Sequence, residues 1–106
     1  MPYGLTEKVT DQIKKVFASY PEIEEAILYG SRAKGNYSNG SDIDLVLKGN
    51  KLDETILRKI RRQLDDLLLP YTIDIAIYES IDNPDLIDHI KRVGIIFYRN
   101  NEQRSQ

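Results

Sequence analysis

Two stretches of strict alternation constrain this chain more than anything else in it. In Asp42-Ile43-Asp44-Leu45-Val46-Leu47, the two-residue repeat of a β-strand puts Asp42 and Asp44 on one face and Ile43, Leu45 and Leu47 on the other. In Thr72-Ile73-Asp74-Ile75-Ala76-Ile77-Tyr78, Asp74 shares a face with Thr72, Ala76 and Tyr78, and the three isoleucines face the opposite way. Between the two lies a helical pattern from about Asp53 to Leu69. Its apolar stripe is Leu52, Ile56, Leu57, Ile60, Leu64, Leu67 and Leu68, with Asp53 placed as an N-cap and Pro70 as a stop. A strand, a helix and a strand with one greasy face each can be satisfied together if the helix covers the aliphatic faces. The aspartates then share the open face.

The remaining elements fit around this unit. Leu5, Val9, Ile13, Val16, Phe17 and Tyr20 fall at helical spacing and predict a helix over about Thr6 to Tyr20, ended by Pro21. Glu24 to Tyr29 reads as a strand, residues 31–41 as a Ser/Gly/Asn-rich loop opening on one helical turn, and Gly49-Asn50 as a turn. Asn83-Pro84-Asp85 supplies a cap, a first-turn proline and a first-turn acid for a helix to Val93, with Gly94 as its C-cap. Ile95 to Tyr98 is a fourth strand. The expected class is α+β: a single mixed sheet of about four strands with helices packed on one face. One domain is expected over residues 1–99, followed by a polar tail, 100–106.

Composition removes several function classes. The chain has 106 residues, which suits one domain. It has no cysteine and one histidine, which excludes a disulfide scaffold, a thiol nucleophile, a Cys-ligated zinc site and a His-rich metal site. There are 15 basic and 17 acidic residues, net −2, with neither half biased, so no duplex nucleic-acid binding and no membrane-surface role is expected. Apolar runs are short and no secretory pattern opens the chain, which gives a cytoplasmic expectation.

Asp42, Asp44 and Asp74 are the first candidate site residues. Alternating Asp can be the wet face of an antiparallel sheet. These strands are poor in the usual wet-face Thr, Lys and Glu, which favours a site. Three clustered carboxylates repel one another, and a divalent cation relieves the repulsion. Mg²⁺ suits them, because it takes hard oxygen ligands and completes its shell with water and phosphate. Upstream, Gly30-Ser31-Arg32-Ala33-Lys34-Gly35 follows a strand directly. It places backbone N–H groups, a hydroxyl and two cations at a strand end, a natural phosphate cradle. It is not a P-loop, since Asn36 stands where that motif needs lysine, and no G-x-G-x-x-G is present. A calcium loop fails because Val46 stands where an oxygen ligand is required.

Taken together, Gly30-Ser31, ten residues, Asp42-Ile43-Asp44 and a later Asp74 resemble the minimal nucleotidyltransferases, the smallest members of the DNA polymerase beta-like superfamily. The stretch GSRAKGNYSNGSDIDLVL looks like the family's motif without departure. The resemblance implies the palm-like nucleotidyltransferase fold and transfer of AMP from ATP to an acceptor hydroxyl. It implies two Mg²⁺ ions held by Asp42, Asp44 and Asp74, with Asp74 as general base or nucleophile-orienting group. Gly30 and Ser31 would grip the triphosphate, Arg32 would neutralise charge on pyrophosphate, and Lys34 would contribute less specifically. Small members of the family resemble the antitoxins of type VII-like toxin–antitoxin pairs, so the resemblance implies a helical HEPN-type toxin as partner and one of its tyrosines as acceptor.

Two other functions fit the same residues: a non-catalytic antitoxin that occludes its partner, and a small-molecule (antibiotic) nucleotidyltransferase whose acceptor site lies on a partner chain. Three features read as bland. Tyr37 is a loop tyrosine, His89 a surface or packing residue, and Arg58, Lys59, Arg61 and Arg62 a solvated helix face paired with Glu54, Asp65 and Asp66.

Overall fold

A computed structural model describes residues 2–37, 40 and 42–100. The elements run α1 (Glu7–Ala18), β1 (Glu25–Tyr29), α2 (Gly30–Lys34), β2 (Ile43–Lys48), α3 (Glu54–Asp65), β3 (Ile73–Ile77), α4 (Pro84–Val93) and β4 (Ile95–Arg99), with short 3₁₀ turns at Pro2–Gly4 and Tyr78–Ser80. Three helices begin where a side chain takes up free backbone donors. Thr6 accepts from the Val9 N–H, Asp53 from Ile56 at 2.9 Å, and Asn83 from both Asp85 and Leu86.

The four strands form one sheet in the order β3-β2-β1-β4. β1 runs antiparallel to both of its neighbours, and β2 pairs with β3 in parallel. β2, β3 and β4 therefore point the same way. The aliphatic faces meet as the alternation requires: Ile43, Leu45 and Leu47 stand beside Ile73, Ile75 and Ile77. α1 and α3 cover this face with Ile13, Val16, Phe17, Leu57, Ile60 and Leu64, all buried.

α4 lies on the opposite face. It packs on β1, with Gly94 so close to Ile27 that a Cβ there would overlap it, and with His89 against Tyr29. The handedness of the crossovers explains the split. From β2 through α3 the chain steps outward to β3, and from β3 through α4 it steps back across the sheet to β4. Two right-handed crossovers between like-directed strands that travel in opposite directions put their helices on opposite faces. Helix cover on one face holds for α1 and α3, and α4 adds a second layer where only solvent was expected.

α3 ends earlier than its apolar stripe suggests. Leu67 and Leu68 donate to carbonyls three residues back, and Leu68 takes a left-handed φ of 54°. Asp65 and Asp66 at the negative end of the helix dipole weaken the last turn, and Pro70 disfavours a helical Leu69. The turn lets Leu67, Leu69 and Tyr71 pack against the core while Leu68 stands 87% exposed. Leu68 is thus not part of the buried stripe. At the other end, the Asn100 N–H donates to Glu24 O at 3.0 Å, which ties Asn100 to the sheet; residues 101–106 of the expected tail lie outside the described residues. No helix among the described residues is long and apolar enough to cross a membrane.

The two leucines give a direct test. Leu64→Ala, at 3% exposure, is expected to cost about 2–5 kcal/mol in urea denaturation, and Leu68→Ala less than about 0.5 kcal/mol.

Candidate active site

The register of the sheet decides which acids meet. On the central strands Tyr29 is paired with Asp44, and Asp44 with Asp74, so the three side chains form a row across β1, β2 and β3 on the α4 face. Asp42 lies just ahead of β2, two residues before Asp44, and is exposed. Asp74 is exposed and Asp44 is half-buried.

The row is electrostatically crowded. Burial pushes the Asp44 carboxyl above its ordinary value, and the charges of Asp74 and then Asp42 push it further, against a smaller lowering from His89. Burial, with the charges of Asp44 and Asp74, pushes the Tyr29 phenol up to about 12. Tyr29 therefore keeps its proton at neutral pH and presents a hydrogen-bond donor beside the acids.

The turn after β1 closes over this row. Gly30 has φ 76° and lies directly against the Asp44 carboxylate, where any Cβ would collide with Oδ2. Glycine is required twice there, for the left-handed backbone and for the space. Ser31 sits in the first turn of α2, half-buried, and Lys34 at its end is exposed. Gly35 ends α2 in a left-handed conformation, with its N–H on Ser31 O at 2.9 Å. Tyr29, at the N-cap position, offers α2 no side-chain cap. His89 of α4 fills that role in part: the Gly30 N–H donates to His89 Nε2 at 3.2 Å, and the imidazole meets the Tyr29 ring edge-on at 6.1 Å.

Arg32 is not where a phosphate ligand would stand. It is 2% exposed, donates to Tyr3 O at 2.7 Å, and lies between the rings of Tyr37 and Tyr71 at 5.2 and 5.0 Å. A phosphate arriving from solvent cannot reach it without displacing these partners. α2 directs position 32 inward, so the guanidinium joins the N-terminal segment, the loop after α2 and the approach to β3. Tyr37, read as a bland loop tyrosine, has one face on this cation.

Asp42, Asp44 and Asp74 could hold a divalent cation. Their donor set is all carboxylate oxygen, and a cation would offset both the burial of Asp44 and the neighbouring charges of Asp74 and Asp42 that push its carboxyl up. Among the described residues no three His, Cys, Asp or Glu side chains are gathered as a ready metal site. An ion there would draw part of its shell from water and phosphate, which matches the habits of Mg²⁺.

A groove of about 930 Å³ lies elsewhere, between α1 and β4, lined by Lys8, Lys14, Phe97 and neighbours. On α3, Arg58, Lys59, Arg61 and Arg62 are exposed, and the expected pairs with Glu54, Asp65 and Asp66 are absent from the ion pairs of the described residues, which are Lys48–Glu25, Arg92–Asp88 and Arg99–Glu25. Sequence reasoning missed Tyr29 and His89. Tyr29 could have been found by extending the alternation of β1 to the residue before Gly30, whereas nothing local to His89 marks it.

The crowding of Asp44 has a measurable sign. An acid whose folded pKa is raised binds its proton more tightly in the folded state, so its contribution to stability falls as pH rises through that value. Asp44→Asn is expected to raise Tm at neutral pH. The gain should shrink as pH falls to about 3, below the ordinary 3.8, in thermal denaturation of both proteins.

Comparison with known proteins gives this arrangement its context. Residues 11–103 match the family model described as polymerase beta, nucleotidyltransferase. No curated protein matches the sequence. Among solved structures, a chain of a toxin–antitoxin crystallised with AMP-PNP superposes with TM-score 0.70 at 20% identity, over 89% of this chain and 76% of that one. A chain from the tri-AMPylated Shewanella oneidensis HEPN toxin in complex with MNT antitoxin gives 0.67 at 16%, over 95% and 78%. A putative nucleotidyltransferase from Sulfolobus solfataricus gives 0.53 at 20%, over 90% and 81%. With the family model spanning nearly the whole chain, from α1 to beyond β4, the protein belongs to the polymerase beta nucleotidyltransferase family.

Proposed function

We propose that this protein is a Mg²⁺-dependent nucleotidyltransferase that moves AMP from ATP to a tyrosine hydroxyl of a HEPN-type toxin partner. The observation that carries the reading is the Asp44–Asp74 register beneath the Gly30–Ser31 turn. On this reading, the carboxylates would supply oxygen donors for a metal–triphosphate, and the turn backbone donors for its phosphates, at one strand end.

The chemistry follows from those groups. The acceptor oxygen attacks the α-phosphorus of ATP, the bond to the β-phosphate oxygen breaks, and pyrophosphate leaves with that electron pair. Asp42 and Asp44 would hold the metal that accompanies the triphosphate, and Asp44 with Asp74 a second. Bound there, Mg²⁺ supplies charge neutralisation for the attacking and leaving oxygens. Asp74, at the outer end of the row and exposed, is the group that takes or orients the acceptor proton. The Ser31 hydroxyl and the N–H groups of the first turn of α2 bind the β- and γ-phosphates, and Lys34 adds a solvent-side cation. Tyr29, its phenol held protonated, stands beside the acids without competing for their metal.

The choice of partner is supported by the neighbours. One similar structure holds a toxin–antitoxin with AMP-PNP, and another a tri-AMPylated HEPN toxin with its MNT antitoxin. Asp42 and Asp74 are exposed, which suits an acceptor delivered by another protein.

The test is to incubate the protein with ATP, Mg²⁺ and a HEPN-type toxin. Mass spectrometry should find AMP on a partner tyrosine, and EDTA should abolish the transfer. Asp74→Asn should lower the transfer rate by about 10²–10⁴-fold. Full neutralisation of the partner's toxicity by an Asp42→Ala/Asp44→Ala protein that transfers no AMP would reject the enzymatic role in favour of occlusion.

A further inference from the structure

The reach of α4 into the site is unexplained by the motif residues. α2 starts abruptly from β1, and the first N–H groups of such a helix have no partner within it. The N-cap residue, Tyr29, offers no side-chain oxygen to them. The Gly30 N–H is taken instead by His89 Nε2, from a helix 59 residues further along the chain. Gly30 is the residue with φ 76° whose Cα lies against Asp44. The one bond therefore acts on the corner that sets how far the Ser31 turn stands from the acids. His89 is itself fixed, by its place on α4 and by the edge-on contact with the Tyr29 ring. Accepting from an amide requires a lone pair on Nε2, so the ring proton of neutral His89 lies on Nδ1.

We propose that His89 is a positioning residue for nucleotidyl transfer: its Nε2 holds the Gly30 amide and so fixes the Gly30–Ser31 turn above Asp44. The inference rests on the reading of that turn as the triphosphate site. His89 does not touch the nucleotide. It consumes the N–H of Gly30, leaves the following N–H groups of α2 for phosphate, and keeps the turn from opening away from the sheet. A turn held in advance spares ATP the cost of ordering it, so the effect falls on binding of the triphosphate more than on the chemical step.

Three variants separate the hydrogen bond from packing. His89→Phe keeps a ring against Tyr29 without an acceptor, His89→Gln keeps an acceptor without the ring, and His89→Ala keeps neither. For His89→Phe and His89→Ala, the KM for ATP–Mg²⁺ in transfer to the partner is expected to rise about tenfold with kcat changed much less, the scale of one amide left without its partner. His89→Gln should recover most of the loss. In the full-length wild-type protein, ¹⁵N NMR should show the His89 ring protonated on Nδ1, and the Gly30 amide resonance should move in His89→Phe. A KM in His89→Phe equal to wild type, equal impairment of the Phe and Gln variants, or a ring proton on Nε2 would each overturn the proposal. The NMR arm needs neither ATP nor partner. A wild-type protein that fails to bind ATP would refute the reading of the turn, while the tautomer and the Gly30 shift would still decide whether His89 holds it.

Discussion

The structure turns on a juxtaposition of like charges. Parallel pairing of β2 with β3 sets Asp44 directly beside Asp74, with Asp42 two residues away, and buries Asp44 in part under Gly30. Left alone, such a row is a liability: burial pushes Asp44 up, and the charges of Asp74 and Asp42 push it further. The register is held from the other face. Ile43, Leu45 and Leu47 beside Ile73, Ile75 and Ile77 lie under α1 and α3, and a slip of one residue would turn every aliphatic side chain to the wrong side. The core thus fixes an arrangement that the acids, by themselves, would avoid.

Topology supplies the second half of the site. Because the chain steps out to β3 and then back to β4, α4 crosses on the face that carries the acids. His89 arrives with it and meets both Tyr29 and the Gly30 amide. The same compactness draws Arg32 the other way. Buried between Tyr37 and Tyr71 with its guanidinium on Tyr3 O, it ties together the N-terminal segment, the loop after α2 and the approach to β3. In a chain of 106 residues, side chains beside a motif are shared between the site and the interior.

Much of this was legible beforehand. Alternation placed the aspartates and isoleucines of β2 and β3 on their faces, and Asp53, Asn83 and Gly94 marked helix ends, because these signals act within a few residues. The spacing from Gly30 to Asp74 singled out Asp42, Asp44 and Asp74 as candidates, and the register brings Asp44 and Asp74 side by side. Reading failed where position depends on distant partners. Leu68 keeps the helical spacing of the stripe, yet α3 unwinds before it to let Leu67 and Leu69 reach the core. Arg32 looks like a phosphate ligand from its neighbours in sequence, and its aromatic partners are 5 and 39 residues away.

What the sequence determined by itself is the set of elements, the faces of its strands and the identity of the acids, since each is written in local periodicity and in residue chemistry. What only the tertiary structure decided is which face α4 covers, which residue meets the Gly30 amide, and whether a cation beside the motif points to solvent or to the interior. Those outcomes depend on strand order and crossover direction. No short window of sequence contains them, because the contacts that set them join residues tens of positions apart.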